Sequence, residues 1–343
     1  MPSVRDIAKM AGVSPATVSR AINNHPAVGR EVREKVISLM NEKRYVPSVG
    51  RRQITNIAFA YADDISLGSP FDAALMHGMS ECMEQYKFDL MVLDLKRVLQ
   101  PHETYSQMFM RKGICGAVLR TSSHSKKICE LIAAEGFPSV VVGERFDNPQ
   151  VNFIYADSRR SSREAVEHLI NLGHRKIAVG INVVEDSDHL DRLQGYKDAL
   201  AAHQRPFDSK LVLEVPARRD GGEQFIRRIE VMPDRPTAMY LTDPVAAVSA
   251  MVEAQRRGLR VPQDISIVGF DDAQLRFLTF PRMSAVCQDA REIGMAAFAA
   301  LQSLIAGAKS TMRVQRVLGT QFEVHESTAV PPVSRRNDVF IAR

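Results

Sequence analysis

The chain has no tryptophan, only four cysteines in 343 residues, and no apolar run near the 18 or so residues that span a bilayer. Cys82, Cys115, Cys129 and Cys287 form no C-x-x-C pair, which excludes the usual zinc site and a disulfide framework and leaves reduced, packed thiols. The nine histidines show no ligand spacing. His168 and His174 sit across a predicted helix end, where they are expected to cap it or face solvent. No metal and no cofactor is therefore expected. Also absent are a G-x-G-x-x-G dinucleotide turn, a G-x-x-x-x-G-K-S/T phosphate loop, H-E-x-x-H and a G-x-S-x-G elbow, so the chain reads as a non-enzyme. The start, Met1-Pro2-Ser3-Val4-Arg5-Asp6, lacks the apolar core of a signal peptide, and a cytoplasmic protein is expected.

What is present is ordinary in bulk and uneven along the chain. With 45% apolar and 25% charged residues it has the composition of a globular protein, and its length exceeds what one hydrophobic core usually fills, so at least two domains are expected. The net charge is +5. Residues 1–52 hold ten Lys and Arg against four acids, a balance of +6, while the remainder carries −1. A basic head on a nearly neutral body points to a polyanion, although a solvated face alone would look similar.

The head reads as three short helices. Ser3-Val4-Arg5-Asp6 has the S-x-x-D form of a capping box, and Val4, Ile7, Ala8 and Ala11 follow at the spacing of one helix face up to Gly12. Ser14 caps a second helix with Pro15 at its first position, and Val18, Ala21 and Ile22 form its inner stripe. A third runs from Arg30 to about Asn41 and stops before Tyr45-Val46-Pro47. Two helices joined by Ala11-Gly12-Val13 make a helix-turn-helix, whose second helix lies in the major groove of DNA. Arg20 is its one outward side chain able to pair bidentately with guanine, while Pro15 and Ala16 offer only apolar contact, for example to a thymine methyl.

The body alternates short β-rich runs with helix-length segments. Ile57–Tyr61, Leu90–Leu93, Ala117–Leu119 and Val140–Val142 make a first rank; Phe153–Tyr155, Ile177–Val179, Val212–Leu213, Ala238–Leu241 and Ile265–Val268 make a second. This predicts two doubly wound α/β lobes, in which ligands bind beyond the carboxyl ends of the strands. Asp63, Asp64, Phe71, Arg145, Arg192, Asp243 and Asp271 all fall at such ends. Arg145 could equally pair with Glu144 or Asp147 at the surface.

The run from Val4 to Asn24 closely resembles the DNA-binding head of the lactose/galactose repressor family. Gly68-Ser69-Pro70-Phe71, Arg192-Leu193-Gln194-Gly195-Tyr196, Thr242-Asp243 and Gly269-Phe270-Asp271-Asp272 resemble segments of its body in their usual order. The resemblance implies a small all-α helix-turn-helix head (1–47), a linker (48–54), a two-lobed α/β, periplasmic-binding-protein-like effector and dimerisation domain (55–332) and a tail (333–343). It implies base contacts by Pro15, Ala16 and Arg20 and phosphate contacts by Ser14, Thr17 and Asn23. Effector binding would fall to Phe71, Arg192, Asp243 and Asp271, often with Arg145. We add Ser3, Arg51 and Arg52 to the DNA set and Asp64 to the effector set.

The expected function is that of a transcriptional regulator, most simply a repressor: a nucleoid-associated homodimer on a near-palindromic operator, controlled by a small effector. A sugar or sugar derivative suits the two aspartates and two arginines, whereas the lack of tryptophan leaves little to sandwich a purine-like ring. Several positions depart from the family pattern: Thr242 replaces an Asn, Ser161 a Gly and His325 an Arg, and Asp72 stands where an aromatic is common. The linker is also short, with ten steps from Pro47 to Ile57. Gly50 disfavours a helix there by about 1 kcal/mol, so no stable hinge helix is expected and Ile54 should not wedge into the minor groove. A sugar-transport binding protein would share the two lobes and is the alternative; the head and the missing signal peptide argue against it.

Overall fold

The computed structural model describes residues 3–22, 25–43, 55–63, 67–184, 186–307 and 313–332. Asn23, Arg51, Arg52, Ile54, Asp64, the linker and the tail lie outside the described residues.

The head forms where its local signals place it. Helix α1 (Val4–Ala11) opens on a complete capping box: Asp6 N–H donates to Ser3 Oγ, and Ser3 N–H donates to Asp6 Oδ2 at 2.7 Å. It ends at Gly12, whose φ of 72° is a conformation that glycine adopts without a Cβ clash. Helix α2 (Pro15–Ile22) follows, and α3 (Arg30–Glu42) closes the unit. Ile7, Ala8, Ala11, Val18, Ala21, Val28, Val36 and Met40 make its small core. Arg33 stitches the turn before α3 by donating to the carbonyls of His25 and Val28, both at 3.0 Å.

Among the described residues, twelve strands form two six-stranded sheets. In chain order they are β1 (Asn56–Tyr61), β2 (Asp89–Asp94), β3 (Ile114–Arg120), β4 (Ser139–Val142), β5 (Phe153–Asp157), β6 (Ile177–Asn182), β7 (Val212–Val215), β8 (Ala238–Leu241), β9 (Ser266–Asp271), β10 (Ser284–Cys287), β11 (Gln315–Gly319) and β12 (Gln321–Glu323). The first sheet runs β11-β5-β4-β3-β1-β2 and the second β12-β10-β9-β8-β6-β7. Each contains the doubly wound order 2-1-3-4-5 of its own strands, so the topology is repeated, with switch points at β1/β3 and β6/β8. No helix among the described residues is long and apolar enough to cross a membrane.

One strand sits elsewhere than expected. Phe153–Tyr155 was predicted in the second rank, but β5 pairs in parallel with β4 in the first sheet, Val141 facing Phe153 and Val142 facing Ile154. A parallel neighbour normally needs a helical crossover. Here the ten residues 143–152 make the link without one, so helix-length spacing gave no sign of the pairing. Strands β10 to β12 had no counterpart in the predicted ranks.

Contacts divide the chain into two bodies, one drawn from 1–65, 79–154 and 295–315, the other from 66–78, 155–294 and 316–343. In the second body, strand alternation sends Ala178, Met239, Leu241 and Ile267 to one face and Val179, Tyr240 and Val268 to the other. Helices Arg219–Glu230 and Pro244–Arg256 cover the first face; Arg159–Asn171 and Ser187–Ala202 cover the second. The last two approach backbone to backbone at Gly195, where a Cβ would lie 2.4 Å from the carbonyl oxygen of Arg159.

His174 is a second correction. It is 1% exposed rather than at the surface: Nδ1 meets Thr237 Oγ1 at 2.8 Å, and Nε2 meets Ser266 Oγ at 3.1 Å and the Ala329 carbonyl at 2.9 Å. His168 is half-buried, its Nε2 3.0 Å from Thr328 Oγ1. His168 ties Thr328 to the helix Arg159–Asn171 and His174 ties Ala329 to β9, and burial pulls both rings below the usual histidine pKa.

Candidate functional site

In the head, the inner stripe of α2 leaves the opposite face open. Val18 and Ala21 are buried, while Ser14, Pro15, Ala16 and Arg20 are exposed and Thr17 is half-buried. Ser14 caps the helix, accepting from Thr17 N–H at 3.0 Å and meeting Thr17 Oγ1 at 2.9 Å. The N-terminal turn of α2 therefore presents a small apolar surface, with one guanidinium a turn further on. That is the arrangement with which a recognition helix meets base edges. Ser3 is exposed, and its hydroxyl donates to Asp6 within the capping box.

In the second body, polar side chains gather where β6, β8 and β9 end. Asp186 caps the helix Ser187–Ala202, accepting from His189 N–H at 2.7 Å and from His189 Nδ1 at 2.8 Å. Two turns in, Arg192 is 4% exposed; its Nη1 donates to the Thr242 carbonyl at 2.7 Å and its Nη2 lies 3.5 Å from Asp188 Oδ2. The guanidinium carbon stands 3.5 Å from the centroid of the Phe270 ring. Asp243 caps the helix Pro244–Arg256, accepting from Ala246 N–H at 2.8 Å. The residue before it, Thr242, spends its hydroxyl on the Gly180 carbonyl at 3.0 Å.

The electrostatics of this cluster follow from burial. Burial raises Asp243 against the helix-capping N–H bonds, and it pushes Asp272 up to about 6 despite Arg192 and Gln288, with Asp243 and Asp271 adding repulsion. Asp186 goes the other way, because the His189 ring and Arg192 outweigh its burial. Arg192 stays charged, since Asp188 and Asp272 offset its own desolvation. The buried Nε of Arg192 and the buried Nε2 of His189 have no hydrogen-bond partner among the described residues.

Asp271 closes β9, at the strand end where it was expected, and its carboxylate is engaged within its own loop. Its carboxylate accepts from the N–H groups of Ala273, Leu275 and Arg276 and from Arg276 Nη1 at 2.7 Å, which fills its acceptor sites. It thereby orders the loop after β9, with Glu323 holding Arg276 from β12 at 2.7 Å. Its neighbour Asp272, which sequence reasoning did not select, is the acid under the influence of Arg192 and Asp243. Adjacent residues at a strand end point to opposite faces, so either aspartate suited the motif.

Phe71 is buried in the first turn of the helix Pro70–Met83, next to a fully buried Asp72. Arg145 belongs to the other body and is exposed; its N–H donates to buried Glu144 at 2.9 Å, and its carbonyl accepts from Lys126. Asp63, in that body, ties β1 to the loop after β3 by accepting from Ser122 N–H and Oγ, both at 2.7 Å, and from Ser125.

A helix-turn-helix with an open recognition face, on a chain with two doubly wound sheets, is the build of a DNA-binding regulator. The chain matches the bacterial regulatory proteins of the lacI family over residues 3–48 and a periplasmic binding protein-like domain over residues 166–328. It is 31% identical to the ribose operon repressor of Haemophilus influenzae, covering 86% of this chain and 89% of that one. It is 30% identical to the regulator DegA of Bacillus subtilis, covering 85% and 88%. Among solved structures, the regulator CelR in complex with cellobiose superposes with a TM-score of 0.68 at 26% identity, covering 95% and 100%. The chain belongs to the lacI family. It is a DNA-binding transcription regulator of that family, not an enzyme.

Proposed function

We propose that the chain represses transcription as a homodimer on a near-palindromic operator, its grip set by a small polyhydroxylated effector bound at the carboxyl ends of the second sheet. The observation that carries the effector reading is the pair of buried nitrogens without a partner among the described residues, Arg192 Nε and His189 Nε2, beside the acids Asp243 and Asp272. Buried polar atoms are rarely left unmet, and a hydroxyl can accept from the arginine while donating to a carboxylate. Relatives named for ribose and bound to cellobiose support the same class. Arg192 and Asp243 are the central contacts in this reading, with Phe71 contributing. Asp271 acts by ordering its loop.

In the head, Arg20 reads guanine, Pro15 and Ala16 meet apolar base edges, and Ser3, Ser14, Thr17, Asn23, Arg51 and Arg52 meet phosphates. The working boundaries are a head at 1–47, a linker at 48–54, an effector body at 55–332 and a tail beyond, in a protein of the cytoplasm that is associated with the nucleoid. The test is an operator selected from random duplexes with the full chain, then fluorescence polarisation during titration with a panel of sugars and sugar acids. A change in operator affinity with at least one sugar, lost in Arg192→Lys, is the expected result. No response to any panel member would remove the effector reading.

A further inference from the structure

At the end of the second sheet opposite the Arg192 cluster, a polar seam closes the amino ends of four strands. His174 stands three residues before β6, Thr237 immediately before β8, and Ser266 and Ser284 open β9 and β10. The segment 325–331 lies across them. Ser284 N–H donates to Ser327 Oγ at 2.8 Å, Ile267 N–H to the Ser327 carbonyl at 2.9 Å, and Ala329 N–H to Ser266 Oγ at 3.0 Å. At the centre sits the buried His174 ring. The Ala329 carbonyl can only accept, so its 2.9 Å contact puts the imidazole proton on Nε2, and Nδ1 then accepts from the Thr237 hydroxyl at 2.8 Å. The neutral ring is matched on both nitrogens. A second proton would meet, at Nδ1, a hydroxyl whose hydrogen already points at the ring.

We propose that His174 is a proton-operated latch on the segment 325–331: neutral, it fastens the segment to the amino ends of the second sheet, and protonated, it lets the Ala329 end go. Among the described residues no carboxylate bonds to the ring to compensate a charge there. On the elements around it, Lys176 pairs with Asp234, Arg260 with Asp264 and Arg163 with Glu167, Glu326 accepts from Arg282 N–H at 3.0 Å, and Arg175 and Arg235 add only positive charge. His168, whose Nε2 meets Thr328 on the same segment, repels a charge on His174, and burial opposes it too. A buried imidazolium must therefore reach water. β6, β8 and β9 each have a paired strand on both sides, whereas the segment is held at single points, so the segment is what moves. A histidine held below its ordinary 6.5 on folding gives its full stabilisation above that pH and loses it as the pH falls further. The latch is thus closed at neutral pH and opens in mild acid, and it stands apart from the effector reading.

The test is amide hydrogen exchange of the full chain at about pH 7.5, 6.5 and 5.5, with rates corrected for the intrinsic pH dependence of exchange. The amides of Glu326 and Ala329 should lose protection by about threefold or more between the first pH and the last, while those of β8 hold. His174→Gln keeps a donor for the Ala329 carbonyl and cannot titrate, so its protection of the segment should not change with pH. His168→Gln removes the repelling neighbour, and the loss should then begin at a higher pH. Protection of the wild-type segment that is constant over this range, or an equal loss in His174→Gln, overturns the latch. A pH effect abolished in His168→Gln overturns it as well, because the proton would then sit on His168. If His174→Gln does not fold, magnetic resonance titration of the wild-type His174 ring decides: a midpoint below 6.5 that coincides with the loss of protection supports the latch, and any other midpoint overturns it.

Discussion

Replacing Asp272 by asparagine should make the protein more stable at pH 8 and leave it almost unchanged at pH 4. Asp272 is buried beside Asp243 and Asp271, and its folded pKa is about 6 against an ordinary value of 3.8, a rise of roughly 2 units. A rise of that size corresponds to about 3 kcal/mol of stability at most. For a carboxyl raised on folding, the stabilising contribution is fully present below pH 3.8 and is lost as the pH climbs through 6. The wild type therefore carries a cost above pH 7 that asparagine does not, while asparagine still accepts from Gln288 through its own Oδ1. At about 2–4 °C per kcal/mol for a body of this size, the variant should melt up to roughly 6–12 °C higher at pH 8. The gap should close smoothly toward pH 4. Differential scanning calorimetry of both proteins from pH 4 to 8 measures it. A variant that melts lower than wild type at pH 8, or a gap independent of pH, would refute the argument.

Three further outcomes follow from the same structure. Arg20→Ala should lower the preference for a selected operator over random DNA by 1–3 kcal/mol or so, while Lys9→Ala weakens both alike; gel-shift competition reads the ratio, and an unchanged ratio in Arg20→Ala would exclude α2 as the reader. Gly12→Val places a β-branched residue at a φ of 72°, so the head should lose helicity and operator binding, while probe binding by the body persists. Gly195→Ala drives a Cβ to 2.4 Å from the Arg159 carbonyl oxygen, a backbone atom that cannot swing away, and should cost about 1–3 kcal/mol or more, seen as a lower melting temperature. Ser162 lies on the same helix contact, and Gly195→Ala combined with a change there should not be additive.

The head was almost wholly legible in the sequence, because its signals are local. A serine three residues before an acid, a glycine where the chain must turn left-handed and a proline at a first helical position act within one turn of themselves. They placed α1 at Val4–Ala11, α2 at Pro15–Ile22 and α3 within a residue of its observed end. Charge was legible for the same reason, since the +6 of the first 52 residues needs no fold to be counted. So were most strands, as short apolar runs buried on both faces.

Tertiary structure decided what depends on distant partners. β5 joins the first sheet because β4 offers it an edge, a fact set by backbone pairing across a short link. His174 is buried because Thr237, Ser266 and Ala329 surround it from far along the chain. Arg192 and Asp243 were expected near one another from strand ends alone. Which of two adjacent aspartates would face that arginine was not legible, because it turns on the loop N–H groups and Arg276 that claim Asp271. Gln288 meets Asp272 only because β10 runs beside β9, a pairing between segments that no local signal announces.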